Sequence, residues 1–258
     1  MRLRALRRDR AFRSGPAMFL FERAFTDIME RLSTVRRTFR SALLIGTPGA
    51  DWPRRLAEIA KDVTAIDPGP LFASAVGGNQ GVEDELDLEP SSFDLCVAVG
   101  TLDSANRLPE ALLRLRLLLK ADSLLIGVMA GGDTLPRLRE AMRAADLAVG
   151  TASPHVHPRI EPAALAQLLG SVGLEMPVVD VDRVRVAYRD FRRLVADLRG
   201  MGATNILNAR SPRPLTRDAF AAAQRSFESA GEGTTEELFE LLHFAAWSPA
   251  DTGPAPDD

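Results

Sequence analysis

Four short apolar runs in the first half of the chain predict buried strands. They cover residues 42–45, 63–66, 93–99 and 124–129. Short continuous apolar runs that end in glycine or in a turn are typical of strands covered on both faces. We therefore expect these four strands to be parallel and central in a sheet.

Segments with helical spacing of apolar residues lie between and around these runs. Helices are expected over residues 17–32, 51–60, 108–120, 135–147, 162–169, 191–198 and 215–227. Asp51 and Pro53 favour a helix start, because Asp accepts from free N–H groups and Pro is tolerated in the first turn. Strands that alternate with helices predict a parallel sheet with helices on both faces.

The pattern changes after residue 131. Residues 178–188 alternate apolar and polar side chains, as an edge or antiparallel strand does. Residues 238–247 are interpreted as the final strand, with a helix as the alternative. The prediction is an α/β domain with a seven-stranded, mostly parallel sheet. Its expected parts are an N-terminal helical segment (1–40), the main domain (41–247) with a helical insert at about 190–230, and a disordered tail (248–258).

The composition is that of an ordinary globular protein, with 46% hydrophobic and 26% charged residues and a formal net charge of −3. No apolar stretch approaches the roughly 20 residues of a membrane helix. The small negative net charge does not favour binding to nucleic acid. Cys96, the single cysteine, lies in an apolar run and indicates a core residue in a reducing compartment. We therefore expect a cytoplasmic protein without a transmembrane segment.

The first 13 residues are rich in arginine, and their acidic residue is Asp9. A solvated basic helix is the favoured interpretation. A transit peptide is the alternative, since such peptides are rich in Arg and poor in acids.

Candidate chemistry lies where the strands end, because open parallel sheets bind ligands at the carboxyl ends of their strands. Gly46 and Gly49 follow the first strand, and Asp67 follows the second. Glycines allow a close backbone approach to a cofactor, and a carboxylate there can accept from both hydroxyls of a ribose. A plain turn explains all three residues equally well.

Two further polar segments have weaker signals. The acidic run 83–89 is usually a solvated loop, although an acid there can reach an adenine amino group. His155 and His157 lie in a Pro-flanked loop without a cysteine or a clear third ligand, so no metal site is predicted.

Seven segments together resemble a known family. They are RRDRA (7–11), SFDL (92–95), LPEAL (108–112), GVMAGGDTL (127–135), LR (138–139), SPH (153–155) and DLRGMGATN (197–205). Over residues 6–249 the chain resembles proteobacterial relatives of the mitochondrial complex I assembly factor that hydroxylates an arginine. That group is similar to the malonyl-acyl-carrier-protein methyltransferases of biotin synthesis.

The resemblance implies a class I methyltransferase fold with added helices between the sixth and seventh strands. It implies S-adenosylmethionine as the cofactor and a protein substrate such as an iron–sulfur subunit of complex I. The implied cofactor contacts are Gly46, Gly49, Asp67 and Gly100. The predicted substrate mouth follows the strand at 124–129 and consists of Gly131, Gly132, Asp133 and Thr134. As an alternative role, Asp133 or Thr134 can cap the next helix.

The first loop departs from the family pattern Asp-x-Gly-x-Gly-x-Gly. Leu44 stands in place of the acid, and Pro48 and Ala50 replace glycines. Pro48 adds a ring and lacks an N–H, so weak or absent cofactor binding is expected. The histidine and tryptophan that precede the family's fourth helix are replaced by Asp103 and Ser104.

Two functions follow from these observations. The first is a methyltransferase-like protein with a degenerate cofactor loop that acts in complex I assembly as an arginine hydroxylase relative. The alternative is a non-catalytic assembly or scaffold protein that kept the fold and lost the cofactor. No residue of the sequence identifies itself as catalytic, because methyl transfer needs mainly the alignment of donor and nucleophile.

Overall fold

A computed structural model describes residues 2–251, and within that range the chain forms one seven-stranded sheet with helices on both faces. The strands are β1 (Phe39–Ile45), β2 (Ala60–Asp67), β3 (Asn79–Gln80), β4 (Phe93–Val99), β5 (Leu119–Ala130), β6 (Glu175–Tyr188) and β7 (Thr235–Trp247). The helices are α1 (Arg2–Ser14), α2 (Phe19–Thr34), α3 (Trp52–Leu56), α4 (Pro70–Ala75), α5 (Leu108–Leu118), α6 (Pro136–Val149), α7 (Pro162–Ser171), α8 (Phe191–Gly200) and α9 (Arg217–Glu228), with a short 3-10 turn at Leu102–Ser104.

The order of the strands across the sheet is β3-β2-β1-β4-β5-β7-β6. The first five are parallel to their neighbours, and β7 runs antiparallel between β5 and β6. This confirms the predicted seven-stranded, mostly parallel sheet. Strand β4 lies between β1 and β5, and the alternating strand β6 lies at the edge, as predicted.

Apolar clusters cover both faces of the sheet. On one face α5 and α7 contribute leucines such as Leu112 and Leu165. On the other face α2 and α3 contribute Phe25 and Trp52, which are fully buried. A third cluster joins α6, α8 and α9 to β7, and α8 and α9 are the helices expected between the sixth and seventh strands.

Two predicted helices end earlier than expected. The helix predicted over 51–60 ends at Leu56, and Ala60 already pairs with Phe39 in the parallel ladder. The helix predicted over 108–120 ends at Leu118, because Leu119 pairs with Phe93. In both places pairing with a distant strand outweighs the local helical pattern.

The C-terminal strand predicted over 238–247 is a strand, so its helical alternative is wrong. The two residues that follow it are ordered: Ser248 Oγ accepts from the Ser123 N–H at 2.8 Å, and the Asp122 N–H donates to the Pro249 carbonyl at 3.0 Å. Disorder therefore does not begin at residue 248, and residues 252–258 of the predicted tail lie outside the described residues. None of the helices in the described part of the chain has the length and apolar character needed to cross a bilayer.

Candidate functional site

The carboxyl ends of β1, β2, β4 and β5 meet at one edge of the sheet. Two glycines there extend the parallel ladder: the Gly46 N–H donates to the Ile66 carbonyl and the Gly100 N–H donates to the Val128 carbonyl, each at 2.9 Å. Because this edge gathers the first loop, Asp67 and the segment after β5, it is the candidate site.

Asp67, the last residue of β2, lies beside the loop that follows Gly46. Its carboxylate accepts from the N–H groups of Thr47 and Gly69, each at 2.7 Å. It also accepts from Arg8 of helix α1, at 2.6 Å from Nε to Oδ1 and 2.5 Å from Nη2 to Oδ2. Both side chains are buried, so Asp67 is held in a fully bonded ion pair.

Glu83 lies after β3 and forms a second pair of the same kind. Arg4 of α1 donates to its two carboxylate oxygens, at 2.6 Å from Nη1 and 2.8 Å from Nη2, and also donates to the Thr101 carbonyl. Burial alone raises the pKa of the Glu83 carboxyl, but the charge and hydrogen bonds of Arg4 outweigh it and hold the pKa below its usual value. Burial likewise lowers the pKa of the Arg4 guanidinium, and the charge of Glu83 reverses the effect and raises it.

These pairs correct two predictions. The N-terminal segment is a basic helix, but it is not simply solvated, because Arg4, Arg8, Asp9 and Ala11 are buried. The acidic run is not uniformly a solvated loop either: Glu85, Asp87 and Glu89 are exposed, whereas Glu83 is 0% exposed. Opposite charges buried in pairs explain both exceptions.

The first loop is closely packed against its own chain. Gly46 has a φ of +84°, and a Cβ there would strike the Val99 carbonyl and the Thr101 side chain. A Cβ on Gly49 would strike the indole of Trp52, which stacks on Phe25 with ring centroids 4.2 Å apart. The two glycines are thus required by packing between protein groups, which is the turn interpretation of this loop.

Gly100 has a φ of +62° and lies against the ring of Phe21 in α2. Next to it opens a pocket with a cavity volume of about 90 Å³. Its walls are mainly apolar and come from α2, the ends of β4 and β5, β7 and the segment after α8. Typical lining residues are Leu20, Phe21, Val128, Met129, Met201, Phe239 and Leu241, with Arg4, Arg8, Asp103 and Arg159 as charged members.

Of the predicted substrate-mouth residues, Thr134 lines this pocket, whereas Gly131, Gly132 and Asp133 lie outside its lining. The hydroxyl of Thr134 donates to the Glu240 carbonyl at 2.9 Å, which fixes the segment to β7. Gly131 and Gly132 lie against the carboxylates of Glu240 and Glu161.

The capping role considered for Asp133 or Thr134 is filled by another residue. Buried Glu237 of β7 accepts from the Arg137 and Leu138 N–H groups at the start of α6, at 3.2 and 2.8 Å. Burial raises the pKa of Glu237, and these backbone donors partly offset it. Helix α6 is therefore capped by Glu237, which is about 100 positions away in the chain, and not by Asp133 or Thr134.

The two histidines of the loop after α6 have separate partners. His155 Nε2 lies 3.1 Å from Asp146 Oδ1, and His157 Nε2 accepts from the Ile206 N–H at 3.2 Å. Burial and the charge of Arg159 lower the pKa of His157, so it is neutral around pH 7. Among residues 2–251 no group of three or more His, Cys, Asp or Glu side chains is arranged to hold a metal ion.

Sequence reasoning missed Arg4, Arg8, Trp52 and Arg159 as members of the site. Arg159 forms a partly buried ion pair with Asp103, one of the two residues that replace the family's His-Trp. A signal for the first two was present: Arg4 and Arg8 are four positions apart, and such residues share one face of a helix.

The two acids of this edge, Asp67 and Glu83, match in kind and position the acceptors that the adenosine part of S-adenosylmethionine would use. The ribose would need the acceptors of Asp67 and the adenine those of Glu83. Both carboxylates are 0% exposed and already accept from arginines. Arginines of α1 therefore hold the acceptors that an adenosine group would need.

The chain is similar to two groups of known proteins. No family model matches the chain. It is 29% identical over 250 residues to the mitochondrial arginine-hydroxylase NDUFAF5 of Danio rerio, covering 92% of this chain and 78% of that protein. It is 26% identical over 166 residues to the malonyl-[acyl-carrier protein] O-methyltransferase of Gallionella capsiferriformans, covering 64% of this chain and 56% of the relative.

The mammalian arginine-hydroxylases are matched over a shorter span. The human protein is 34% identical over 169 residues, and the chain spans about half of its length (49%). The chain thus resembles both the arginine-hydroxylase and the malonyl-acyl-carrier-protein methyltransferase families, as predicted.

Solved structures agree on the fold. The YcgJ protein of Bacillus subtilis superposes with a TM-score of 0.60 at 10% identity, over 88% of this chain and 99% of that one. A Haemonchus contortus phosphoethanolamine N-methyltransferase solved with S-adenosylhomocysteine gives a TM-score of 0.52 at 15% identity, over 87% of this chain and 52% of that one. The chain has the class I methyltransferase fold.

Proposed function

We propose that this chain is an S-adenosylmethionine-dependent, methyltransferase-like protein that acts in the assembly of respiratory complex I, as a relative of the arginine hydroxylases. The observation that carries the proposal is the position of Asp67. Its carboxylate lies at the end of β2 and accepts from the N–H that follows Gly46 at 2.7 Å. Arg8, which also donates to this carboxylate, lines a largely apolar pocket. The similarity to arginine-hydroxylases and to a malonyl-acyl-carrier-protein methyltransferase supports the same cofactor.

The chain's own residues would divide the work of binding. Asp67 would accept from the ribose hydroxyls, Glu83 would accept from the adenine amino group, and Gly46, Gly49 and Gly100 would border the methionine part. When bound, the cofactor supplies an electrophilic methyl group. The pocket beside Gly100 would hold the substrate side chain in an apolar environment that excludes water, with Thr134 at its wall.

No general base is required by this proposal. Methyl transfer depends mainly on holding donor and acceptor in line, which a shaped pocket achieves by position alone. The substrate we infer is a protein, such as an iron–sulfur subunit of complex I, met in the cytoplasm. Such a partner would approach the pocket beside Gly100, where Thr134 of the predicted substrate mouth forms part of the lining.

A second function has a specific observation in its favour. The first loop contains Leu44, Pro48 and Ala50 where the family has an acid and two glycines, and the Trp52 indole lies against Gly49. Such a loop leaves little room for the methionine part of a cofactor. A non-catalytic assembly or scaffold protein on the same fold is the corresponding alternative.

Titration calorimetry with S-adenosylmethionine tests the proposal. We expect weak binding by the native chain and tighter binding after the paired changes Pro48→Gly and Ala50→Gly, because they remove a ring and restore an N–H. Each unmade hydrogen bond costs about 1–3 kcal/mol, and about 1.4 kcal/mol is tenfold in affinity. Micromolar binding by the native chain that the paired change leaves unaltered would overturn the argument from the loop.

The assembly role needs a separate test in the organism that encodes the chain. Deleting it should lower the NADH:quinone oxidoreductase activity of membranes, and mass spectrometry of the complex I subunits should then show the loss of one modified residue. If activity falls and no modification is lost, the scaffold alternative is favoured. Unchanged activity would refute both functions in complex I assembly.

A further inference from the structure

We propose that helix α1 is an internal occupant of the adenosine half of the site and competes with S-adenosylmethionine for it. This inference rests on the proposed function, because it assumes that the cofactor binds at Asp67 and Glu83. It adds a regulation of that site by a movable segment of the same chain.

The competition follows from the hydrogen bonds that the Asp67 carboxylate already accepts. A carboxylate has about four lone-pair sites for hydrogen bonds. The oxygens of Asp67 accept from Arg8 Nε, Arg8 Nη2, the Thr47 N–H and the Gly69 N–H. No acceptor site is then left for ribose hydroxyls. The same group cannot bind the arginine and the ribose at full strength together.

The second pair makes the occupation specific. Arg4 and Arg8 lie one helical turn apart on α1, and they reach two acids that come from separate strand ends, Glu83 after β3 and Asp67 at the end of β2. Two planar guanidinium groups thus stand in the two places where a nucleoside would offer its hydroxyls and its amino group. Planar, paired donors give such contacts both strength and orientation.

Helix α1 is seated on the site by contacts besides these pairs. Phe12 meets Phe72 of α4 edge to face, with ring centroids 5.3 Å apart, and Asp9 accepts from the Leu71 N–H at 3.1 Å. The Ala17 N–H donates to the Gly200 carbonyl at the end of α8 at 3.1 Å. The helix therefore has a defined docked position.

One cluster opposes docking. Burial, together with the like charges of Arg10 on the same helix, Arg210 of the loop after α8 and Arg199 of α8, lowers the pKa of Arg7 in α1. Among residues 2–251 none of these four arginines forms an ion pair with an acid. Docking therefore brings Arg7 under the like charges of Arg199 and Arg210, and this repulsion favours release of the helix.

The expected effect on affinity follows from the docked fraction. A ligand that binds only the open form has its affinity reduced by the fraction of open molecules, so a helix docked in about nine of ten molecules weakens binding about tenfold. Removing the two guanidinium groups should recover that factor.

The experiment is calorimetry with S-adenosylmethionine on the full chain and on two matched variants. Arg4→Met with Arg8→Met removes the buried pairs, whereas Arg2→Met with Arg13→Met makes the same charge change at two exposed positions of the same helix. We expect the first variant to bind at least about tenfold more tightly than the native chain, and the second to match the native chain. Equal affinity of all three, or loss of binding in the first variant, would overturn the inference while leaving cofactor binding by the native chain intact.

A second measurement uses the native chain, so it holds even if the variant misfolds. Trypsin should cut after Arg8 faster when S-adenosylmethionine is added at saturation, with cleavage after exposed Arg36, before β1, as the internal reference. A cut rate after Arg8 that falls or stays constant on binding would show that the helix remains docked and would refute the competition. If neither the native chain nor any variant binds S-adenosylmethionine, the proposed cofactor is refuted. If all of them bind it equally, only the competition with α1 is refuted.

Discussion

Arg8 Nε lies 2.6 Å from Asp67 Oδ1, and this contact joins the first helix to the end of the second strand across 59 positions of the chain. Both side chains are buried. The pair lies where the fold would hold a ribose, so a residue that in the proposed function binds a ligand is also part of the packing of the chain.

The first prediction concerns the cost of breaking this pair. Asp67→Asn removes the counter-charge of Arg8 and lets α1 leave the site. We therefore expect a loss of about 1.4 kcal/mol in the free energy of unfolding, which is the stability supplied by a helix docked in about nine of ten molecules. Urea denaturation measures it. Asp62→Asn, an exposed aspartate of the same strand, is the matched control and should leave the unfolding free energy nearly unchanged. Equal effects of both changes would show that the Arg8 pair contributes little.

The second prediction is a pH dependence due to Glu83. Its pKa is lowered in the folded chain from an ordinary value of 4.5, so its contribution to stability is complete above that value and is lost as the pH falls through the folded pKa. The stability difference between the native chain and Glu83→Gln should therefore be largest near neutral pH and should shrink below pH 4.5. Thermal melts across that range measure it, and parallel curves for the two proteins would contradict the assignment.

The third prediction tests the cap of helix α6. Glu237→Ala removes the acceptor of three backbone N–H groups, those of Arg137, Leu138 and Leu238, and should destabilise the fold by about 1–3 kcal/mol, the cost of leaving buried donors unpaired. Glu236→Ala changes the exposed neighbour on the same strand and serves as the control. Chemical denaturation of both variants gives the comparison; a smaller loss for Glu237→Ala than for Glu236→Ala would refute the cap.

The fourth prediction concerns the packing of the first loop. A methyl group on Gly49 would strike the Trp52 indole, which is held by Phe25 and donates to Glu22 Oε2 at 2.9 Å. Gly49→Ala should therefore cost about 1–3 kcal/mol, as overpacking does. Gly170→Ala, in α7 with open space at its Cβ, should instead gain up to about 1 kcal/mol. The melting temperatures of the two variants should move in opposite directions.

The sequence was sufficient to predict the sheet, because strands covered on both faces must be apolar along their whole length. Residues 93–99 and 124–129 carry that signal, and they form β4 and the end of β5. The exact ends of β2 and β5 were not predictable, since Ala60 and Leu119 are fixed by pairing with Phe39 and Phe93.

The site was predictable only in part. Asp67 was named from the rule that ligands bind at strand ends, and Gly100 from the family resemblance; the structure places both at that edge of the sheet. The roles of Arg4 and Arg8 were missed because a run of arginines looks solvated unless its partners are known, and Glu83 lies 79 positions from Arg4. Local periodicity contains no information about charges that meet only after folding. Glu237 was missed for the same reason.

The long separation between α1 and its acids also has a kinetic meaning. Helix α1 has no complete docking surface until β2, α4 and the segment around Glu83 have come together, so its contacts belong to the last events of folding. Interactions formed after the transition state change the unfolding rate and leave the folding rate nearly untouched. Substitutions at Arg4, Arg8 and Phe12 should thus act mainly on how long the native state survives.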